Sequence, residues 1–113
     1  MMSSELLGLT EFQLLDMSKK YDSVVICDLR KKEDFAKGHI KNSIMVEFDE
    51  EKLLDVPKNS KVVIVGYGEE QSKQVATALR ARNIEAYYLI GGISGFTSGL
   101  YCTNIFYVGT GYP

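Results

Sequence analysis

Residues 61–80, KVVIVGYGEEQSKQVATALR, have the layout of a site that holds an anion or an activated thiolate. The apolar run Val62–Val65 predicts a buried strand, a glycine-containing loop follows it, and an apolar face then predicts a helix. The free N–H groups and the dipole at the start of such a helix stabilise negative charge, and they lower the pKa of a cysteine placed there. The loop nevertheless contains no cysteine, because the strand ends at Gly66 and residues 66–72 read GYGEEQS.

Two carboxylates, Glu69 and Glu70, stand where the predicted helix begins. We expect them to satisfy the positive helix end themselves, each interaction being worth about 0.3–1 kcal/mol. They also repel negatively charged molecules. The sequence therefore predicts that anionic small ligands are disfavoured at this loop.

The chain has two cysteines, Cys27 and Cys102. Cys27 lies within an apolar run, where a free cysteine behaves as a small buried hydrophobe. Nothing beside Cys102 would lower its pKa, so a catalytic role for this thiol is the less favoured interpretation. We expect both thiols to be reduced, because the N-terminus lacks the pattern of an export signal.

Asp28 and Arg30 follow the second predicted strand, at an edge where sites form. Asp28 is expected to steady a loop, and Arg30 to pair with Glu33 or Asp34. Ion pairs that shape turns are commoner than catalytic ones, so we favour a structural role for both.

His39 is the only histidine, and no second ligand-type residue lies near it in sequence. A hydrogen-bonded turn histidine is therefore favoured over a metal ligand. Gly91 and Gly92 permit backbone angles that other residues resist, which indicates a tight turn after the last strand.

The rest of the chain predicts the elements that position these residues. Apolar runs without alternation predict strands covered on both faces, and connections too long for hairpins favour parallel pairing. The result is an α/β fold, a mostly parallel central sheet of about five strands with helices on both faces. Sites in such sheets form beyond the carboxyl ends of the strands. Strands are predicted at residues 5–7, 23–29, 42–48, 61–65 and 85–90, and helices at residues 10–20, 32–37, 49–56, 71–82 and about 91–96.

Several of these elements have local start and stop signals. Thr10 and Gln13 have the spacing of a capping box at the start of the first helix. Gly8 is expected to break the chain between the first strand and that helix. Gly38 is placed to end the second helix, and Asn83 is predicted to take the left-handed conformation after the helix that follows the loop.

At this point the sequence resembles a rhodanese-like domain, over roughly residues 5–98. DLRKKEDFAKGHIKNSI is similar to that family's first signature, residues 61–80 to its strand, active-site loop and helix, and YYLIGGISGF to the strand and Gly-Gly turn beyond, with Phe96 where tryptophan is usual. The resemblance implies a cysteine at the first loop position, which carries sulfane sulfur as a persulfide. In this chain Gly66 stands at that position and Ser72 at the loop's end. Because glycine has no side chain, the first loop position cannot attack a sulfur donor.

The resemblance and the missing nucleophile together give the functional hypotheses. The first is a non-catalytic rhodanese-like module that binds a protein, with no cofactor, no metal and no expected sulfurtransferase activity. The alternative is a sulfurtransferase that uses Cys102, and a third is a domain that binds a cationic or neutral small ligand. The vestigial active-site loop is Gly66, Tyr67, Gly68, Glu69, Glu70, Gln71 and Ser72, and its supporting residues are Asp28, Arg30, His39, Gly91 and Gly92.

Composition and organisation limit the partners. A formal net charge of −2 gives no reason to expect nucleic acid, and the longest uncharged stretch is too interrupted for a membrane span. Residues 1–98 are predicted to form the domain, and residues 99–113 an aromatic extension that packs on the domain or on a partner. We expect a protein partner or a second copy of the chain, and a cytoplasmic location.

Overall fold

The computed structural model of the protein describes residues 7–47 and 59–101. Within these residues the chain forms one five-stranded sheet in the order β1-β5-β4-β2-β3, and every pair of neighbouring strands is parallel. The predicted α/β fold with a parallel sheet is therefore confirmed. The helix predicted at residues 49–56 lies outside the described residues. The strands are β1 Gly8–Leu9, β2 Val24–Asp28, β3 Ile44–Met45, β4 Lys61–Val65 and β5 Glu85–Leu89, and the helices are α1 Glu11–Lys20, α2 Lys32–Lys37, α3 Glu70–Arg80 and a 3₁₀ turn Ile93–Gly95.

The central position of β4 in the sheet explains why the sequence of this strand is apolar at successive positions. Val62 and Ile64 pack into the cluster that includes the inner face of α3, whereas Val63 and Val65 pack into the cluster that includes Leu14 of α1. All four side chains are almost completely buried. A strand covered by helices on both faces has no solvent-facing position, so the alternation of a half-exposed strand is absent.

Helix α1 begins as its sequence predicts. The Thr10 hydroxyl accepts a hydrogen bond from the Gln13 N–H, and the Gln13 side chain accepts one from the Thr10 N–H, which completes the capping box. Leu14 is then fully buried beneath the helix.

Helix α3 begins one residue earlier than predicted and ends two residues earlier. Its predicted inward face is confirmed, because Ser72, Val75, Ala76 and Leu79 are all buried. After the helix, Asn83 has the predicted left-handed conformation, with a φ of 63°. The chain can therefore turn directly from α3 into β5.

Among the described residues the first strand is Gly8–Leu9, so Gly8 belongs to it, and residues 5 and 6 of the predicted strand lie outside the described residues. The Tyr88 N–H donates to the Leu7 carbonyl and the Ile90 N–H to the Leu9 carbonyl, so pairing with β5 runs through Gly8. A Cβ atom on Gly8 would lie 2.9 Å from the ring of Tyr88. The glycine is therefore explained by close packing against a neighbouring strand, and the prediction of a break there was wrong.

The parallel arrangement brings the carboxyl ends of β2, β4 and β5 to one edge of the sheet. That edge carries the residues after Asp28, Val65 and Leu89. No helix among the described residues has the length and apolar character needed to cross a bilayer.

Candidate functional site

The loop after β4 is closed tightly around Gly66. The Gly66 carbonyl accepts a hydrogen bond from the Ile93 N–H at 2.9 Å, and Gly66 itself is buried. A Cβ atom built on Gly66 would lie 2.7 Å from the Ser72 hydroxyl oxygen. The hydroxyl of Ser72, which is completely buried, therefore takes the space that a side chain at position 66 would enter.

Tyr67 ties the loop to the start of α2. Its hydroxyl donates a hydrogen bond to the Asp34 carboxylate and accepts one from the Lys31 N–H at 3.1 Å. The hydrogen bond to Asp34 raises the pKa of Tyr67, so the phenol stays protonated and remains a donor. The side chain is still 50% exposed. The Tyr67 ring is therefore partly exposed, and its orientation is fixed by the loop backbone at one end and by the hydrogen bonds of its hydroxyl at the other.

Glu69 ties the loop to the turn after β5. Its carboxylate accepts a hydrogen bond of 2.9 Å from the Gly91 N–H. Glu69 is the N-cap residue of α3, but its side chain makes no hydrogen bond to the helix. The expectation that both glutamates satisfy the helix end by their charge stays a prediction. Glu70 lies in the first turn, where the dipole acts on it, whereas Glu69 is held by an amide from another element.

The Gly91–Gly92 turn has the backbone angles that its sequence predicts, with φ values of 82° and 62°. Gly92 also packs directly on the loop. A Cβ atom on Gly92 would lie 2.5 Å from the Tyr67 carbonyl oxygen and 2.8 Å from the Gly68 Cα. Glycine is required here because two backbone segments meet without room for a side chain.

Asp28 and Arg30 form a buried ion pair with each other. The Arg30 Nε and Nη2 atoms donate to the Asp28 carboxylate, with Nη2 at 2.9 Å, and Nη2 also donates to the Gly38 carbonyl at 2.6 Å. The predicted pairing of Arg30 with Glu33 or Asp34 was wrong, because Arg30 folds back over the end of β2. Its contact with Asp34 is to the backbone carbonyl, at 3.5 Å. The pair therefore anchors α2, which in turn carries the partners of Tyr67.

His39 is the buried, hydrogen-bonded histidine that was expected. Its Nδ1 atom lies 2.9 Å from the Phe35 carbonyl oxygen, and its ring stacks on Phe35 with centroids 4.1 Å apart. Its backbone pairs with Tyr101 in an antiparallel bridge. Within residues 7–47 and 59–101, no three histidine, cysteine, aspartate or glutamate side chains are grouped to hold a metal ion.

Cys27 is fully buried in β2, as predicted. Burial raises the pKa of its thiol to about 12, with a smaller contribution from the neighbouring Asp28 carboxylate. The thiolate needed for nucleophilic attack is therefore scarce at neutral pH. Cys102 and the aromatic residues after it lie outside the described residues, so their predicted roles stay predictions.

The predicted site residues thus fall into connected groups at the carboxyl edge of the sheet. Loop residues 66–72 contact the Gly91–Gly92 turn directly, and Tyr67 connects the loop to α2. Sequence reasoning missed the two partners of Tyr67. Asp34 was noted only as part of a signature, and Lys31 contributes a backbone N–H, which no side-chain pattern reveals.

Comparisons with known proteins agree with this fold. The family model described as "Rhodanese-like domain" matches residues 10–98. A rhodanese-like domain protein from Staphylococcus aureus is 28% identical, with a TM-score of 0.72, covering 86% of this chain and 98% of that one. A protein from Staphylococcus saprophyticus is 21% identical, with a TM-score of 0.65, covering 83% of this chain and 97% of that one.

A protein from Anabaena sp. is 23% identical, with a TM-score of 0.63, and the match covers 77% of this chain and 72% of that one. Identities this low show likeness of fold alone. The search of curated proteins found no match. Because the family model spans most of its length, the chain belongs to the rhodanese-like domain family.

Proposed function

We propose that this protein is a non-catalytic rhodanese-like module that binds another protein through the carboxyl edge of its sheet. Gly66 takes the position where active members of the family carry the persulfide-forming cysteine. A second copy of the chain is one of the partners that the proposal covers, and the cytoplasm is the expected location. No cofactor or metal takes part in the proposed role.

One observation carries the non-catalytic part of the proposal. The first loop position has no side chain, and the Ser72 hydroxyl lies 2.7 Å from the point where a Cβ atom would stand. The loop residues, GYGEEQS, include no histidine that could activate the Ser72 hydroxyl as a nucleophile. Cys27 offers no substitute, because burial raises its pKa to about 12.

The binding part of the proposal is supported by how firmly the loop is held. Tyr67 is fixed by Asp34 and Lys31 on one side, and Glu69 is fixed by Gly91 on the other. A surface that is already ordered loses little conformational entropy when a partner binds. A half-exposed tyrosine in a fixed orientation is also the kind of residue that anchors protein interfaces.

Catalysis is tested by assaying thiocyanate formation from thiosulfate and cyanide with the purified protein. We expect no rate above that of the protein-free reaction. The rival hypothesis predicts turnover that disappears in Cys102→Ser, together with a mass gain of one sulfur on Cys102 after exposure to thiosulfate. Either result would contradict the non-catalytic proposal.

Binding is tested by placing a photo-crosslinking amino acid at Gln71, an exposed residue of the loop, in cells that express the protein. The matched control carries the same amino acid at Lys19, an exposed residue of α1. We expect a discrete adduct from position 71, with a second copy recognised by a doubled mass, and we expect Glu69→Lys/Glu70→Lys to abolish it. The same adduct from both positions, or an adduct unaffected by the charge reversal, would place the contact elsewhere.

A further inference from the structure

A groove of about 680 Å³ runs beside the loop and is separate from the tight space around Gly66. It lies between the segment after β2, the end of β3 and the first turns of α3. Its lining combines buried and half-buried apolar residues, here called the floor, with exposed charged residues, here called the rim. The residues that matter for its chemistry are Lys31, Lys32, Met45, Val46, Gln71 and Val75.

The rim of the groove is cationic although the whole chain has a net charge of −2. Lys31 and Lys32 are exposed, and neither forms an ion pair with a carboxylate among the described residues. Arg30 also lines the groove, but its charge is matched by Asp28. Glu47 is the one acidic residue of the described lining. Among the described residues of the lining, the two lysine charges outnumber the single Glu47 charge, so this surface has a net positive charge that attracts a negatively charged group.

The apolar floor of the groove favours an occupant with an apolar side chain over a simple inorganic anion. Met45 and Val46 are only half-buried, so apolar surface remains exposed between the lysines and α3. Methionine is flexible and adapts to differently shaped apolar partners. Covering this surface gains hydrophobic free energy that an inorganic anion cannot supply. The best-matched occupant carries carboxylates next to an apolar side chain.

We propose that this groove binds a short acidic segment of a protein partner, with an apolar side chain over Met45 and Val46 and carboxylates beside Lys31 and Lys32. The proposal rests on the protein-binding function above and adds the chemistry of the partner. Tyr67 accepts a hydrogen bond from the N–H of Lys31, a groove residue, so the groove adjoins the loop.

The probe is a fluorescein-labelled nonapeptide with one central leucine flanked by aspartates, measured by fluorescence anisotropy with the full chain. Two control peptides replace the aspartates by asparagines or the leucine by serine. We expect saturable binding of the acidic peptide that weakens as salt is raised from 50 to 500 mM. Over this range the Debye length falls from above about 10 Å to below about 8 Å, so the attraction between the lysines and the aspartates is increasingly screened. Both control peptides should bind at least about fivefold more weakly, since each removes one of the two attractions.

The protein variants locate the binding site. Each exposed ion pair is worth up to about fivefold in affinity, so Lys31→Glu/Lys32→Glu should weaken peptide binding by about tenfold or more. Lys19→Glu/Lys20→Glu on α1 makes the same change in net charge and should leave affinity within about twofold. Glu69→Lys/Glu70→Lys should not weaken binding of this peptide, which occupies the groove alone, because it removes negative charge next to an acidic ligand; the loss expected for this variant in the crosslinking test concerns the whole partner, which also contacts the loop.

The outcomes separate this inference from the proposed function. Absence of peptide binding, or equal losses in the two lysine variants, overturns the acidic-segment proposal even if the crosslink from position 71 is found. Self-association of the chain that depends on Lys31 and Lys32, without peptide binding, assigns the groove to a second copy and also overturns it. If no adduct forms from position 71 but the peptide still binds, the proposal that a partner contacts the loop is contradicted, whereas the assignment of the groove to an acidic segment is retained.

Discussion

The Gly91–Gly92 turn is expected to control the stability of the whole carboxyl edge, and Gly92→Ala is the sharpest test. Gly92 has φ 62° and ψ −160°, a region that is nearly restricted to glycine and costs about 1–3 kcal/mol for other residues. The new Cβ would also lie 2.5 Å from the Tyr67 carbonyl oxygen and 2.7 Å from its carbon, both backbone atoms that no rotamer change can move. Overpacking of this kind adds about 1–3 kcal/mol.

We therefore expect Gly92→Ala to lower the free energy of unfolding by about 2–6 kcal/mol, a large part of the roughly 5–15 kcal/mol of a typical domain. The measurement is urea unfolding followed by circular dichroism at 25 °C. Gly68→Ala is the matched control, because Gly68 is exposed, has no positive φ, and has no atom within 4 Å of a built Cβ. Its effect should stay within about 0.5 kcal/mol. A loss below about 1 kcal/mol for Gly92→Ala, or similar losses for the two variants, would refute the packing of the turn on the loop.

Three further predictions concern charged and sulfur-containing groups. Asp28→Ala leaves the Arg30 guanidinium buried without its counter-charge and should cost about 3–5 kcal/mol in urea unfolding; an effect below about 1 kcal/mol would show that Arg30 escapes to solvent. In a variant that lacks the other cysteine, Cys27 should react with an aromatic disulfide at least about a hundredfold more slowly in the native protein than in the unfolded chain, because burial raises its pKa to about 12. Native reactivity equal to the unfolded rate would contradict that burial. Hydrogen bonds, the largest from the Ser98 hydroxyl, lower the pKa of Glu11 from 4.5 to about 2, so this group's contribution to stability is present above pH 4.5 and lost as the pH falls toward 2. Glu11→Gln should therefore lose less stability over that pH range than the unmodified protein, and an equal loss would assign the acid sensitivity to other groups.

Much of the fold could be predicted from the sequence because its signals are local. The Thr10–Gln13 capping box, the unbroken apolar run of β4 and the left-handed Asn83 each depend on a few neighbouring residues. The exception is Gly8, which local rules treat as a break. Its place within β1 follows from the ring of Tyr88, a residue eighty positions away that pairs with it across the sheet.

The candidate site could be located from the sequence but its hydrogen bonds could not. The motif order placed Gly66–Ser72 at a strand end beside the Gly91–Gly92 turn. It gave no means of choosing partners for a long, flexible side chain with several reachable groups. Arg30 pairs with Asp28 and not with Glu33 or Asp34, because the chain after β2 folds back and buries the guanidinium beside the nearest carboxylate.

The sequence was enough to predict a parallel α/β domain from its apolar runs, a resemblance to the rhodanese-like family from the order of its motifs, and a loop without cysteine from its residues, because each of these signals is local. The three-dimensional structure was needed to show that Glu69 binds the Gly91 amide, that Tyr67 binds Asp34, and that a cationic groove lies beside them. These contacts join residues more than twenty positions apart. Their geometry depends on how separate strands align at one edge of the sheet, which no local pattern specifies.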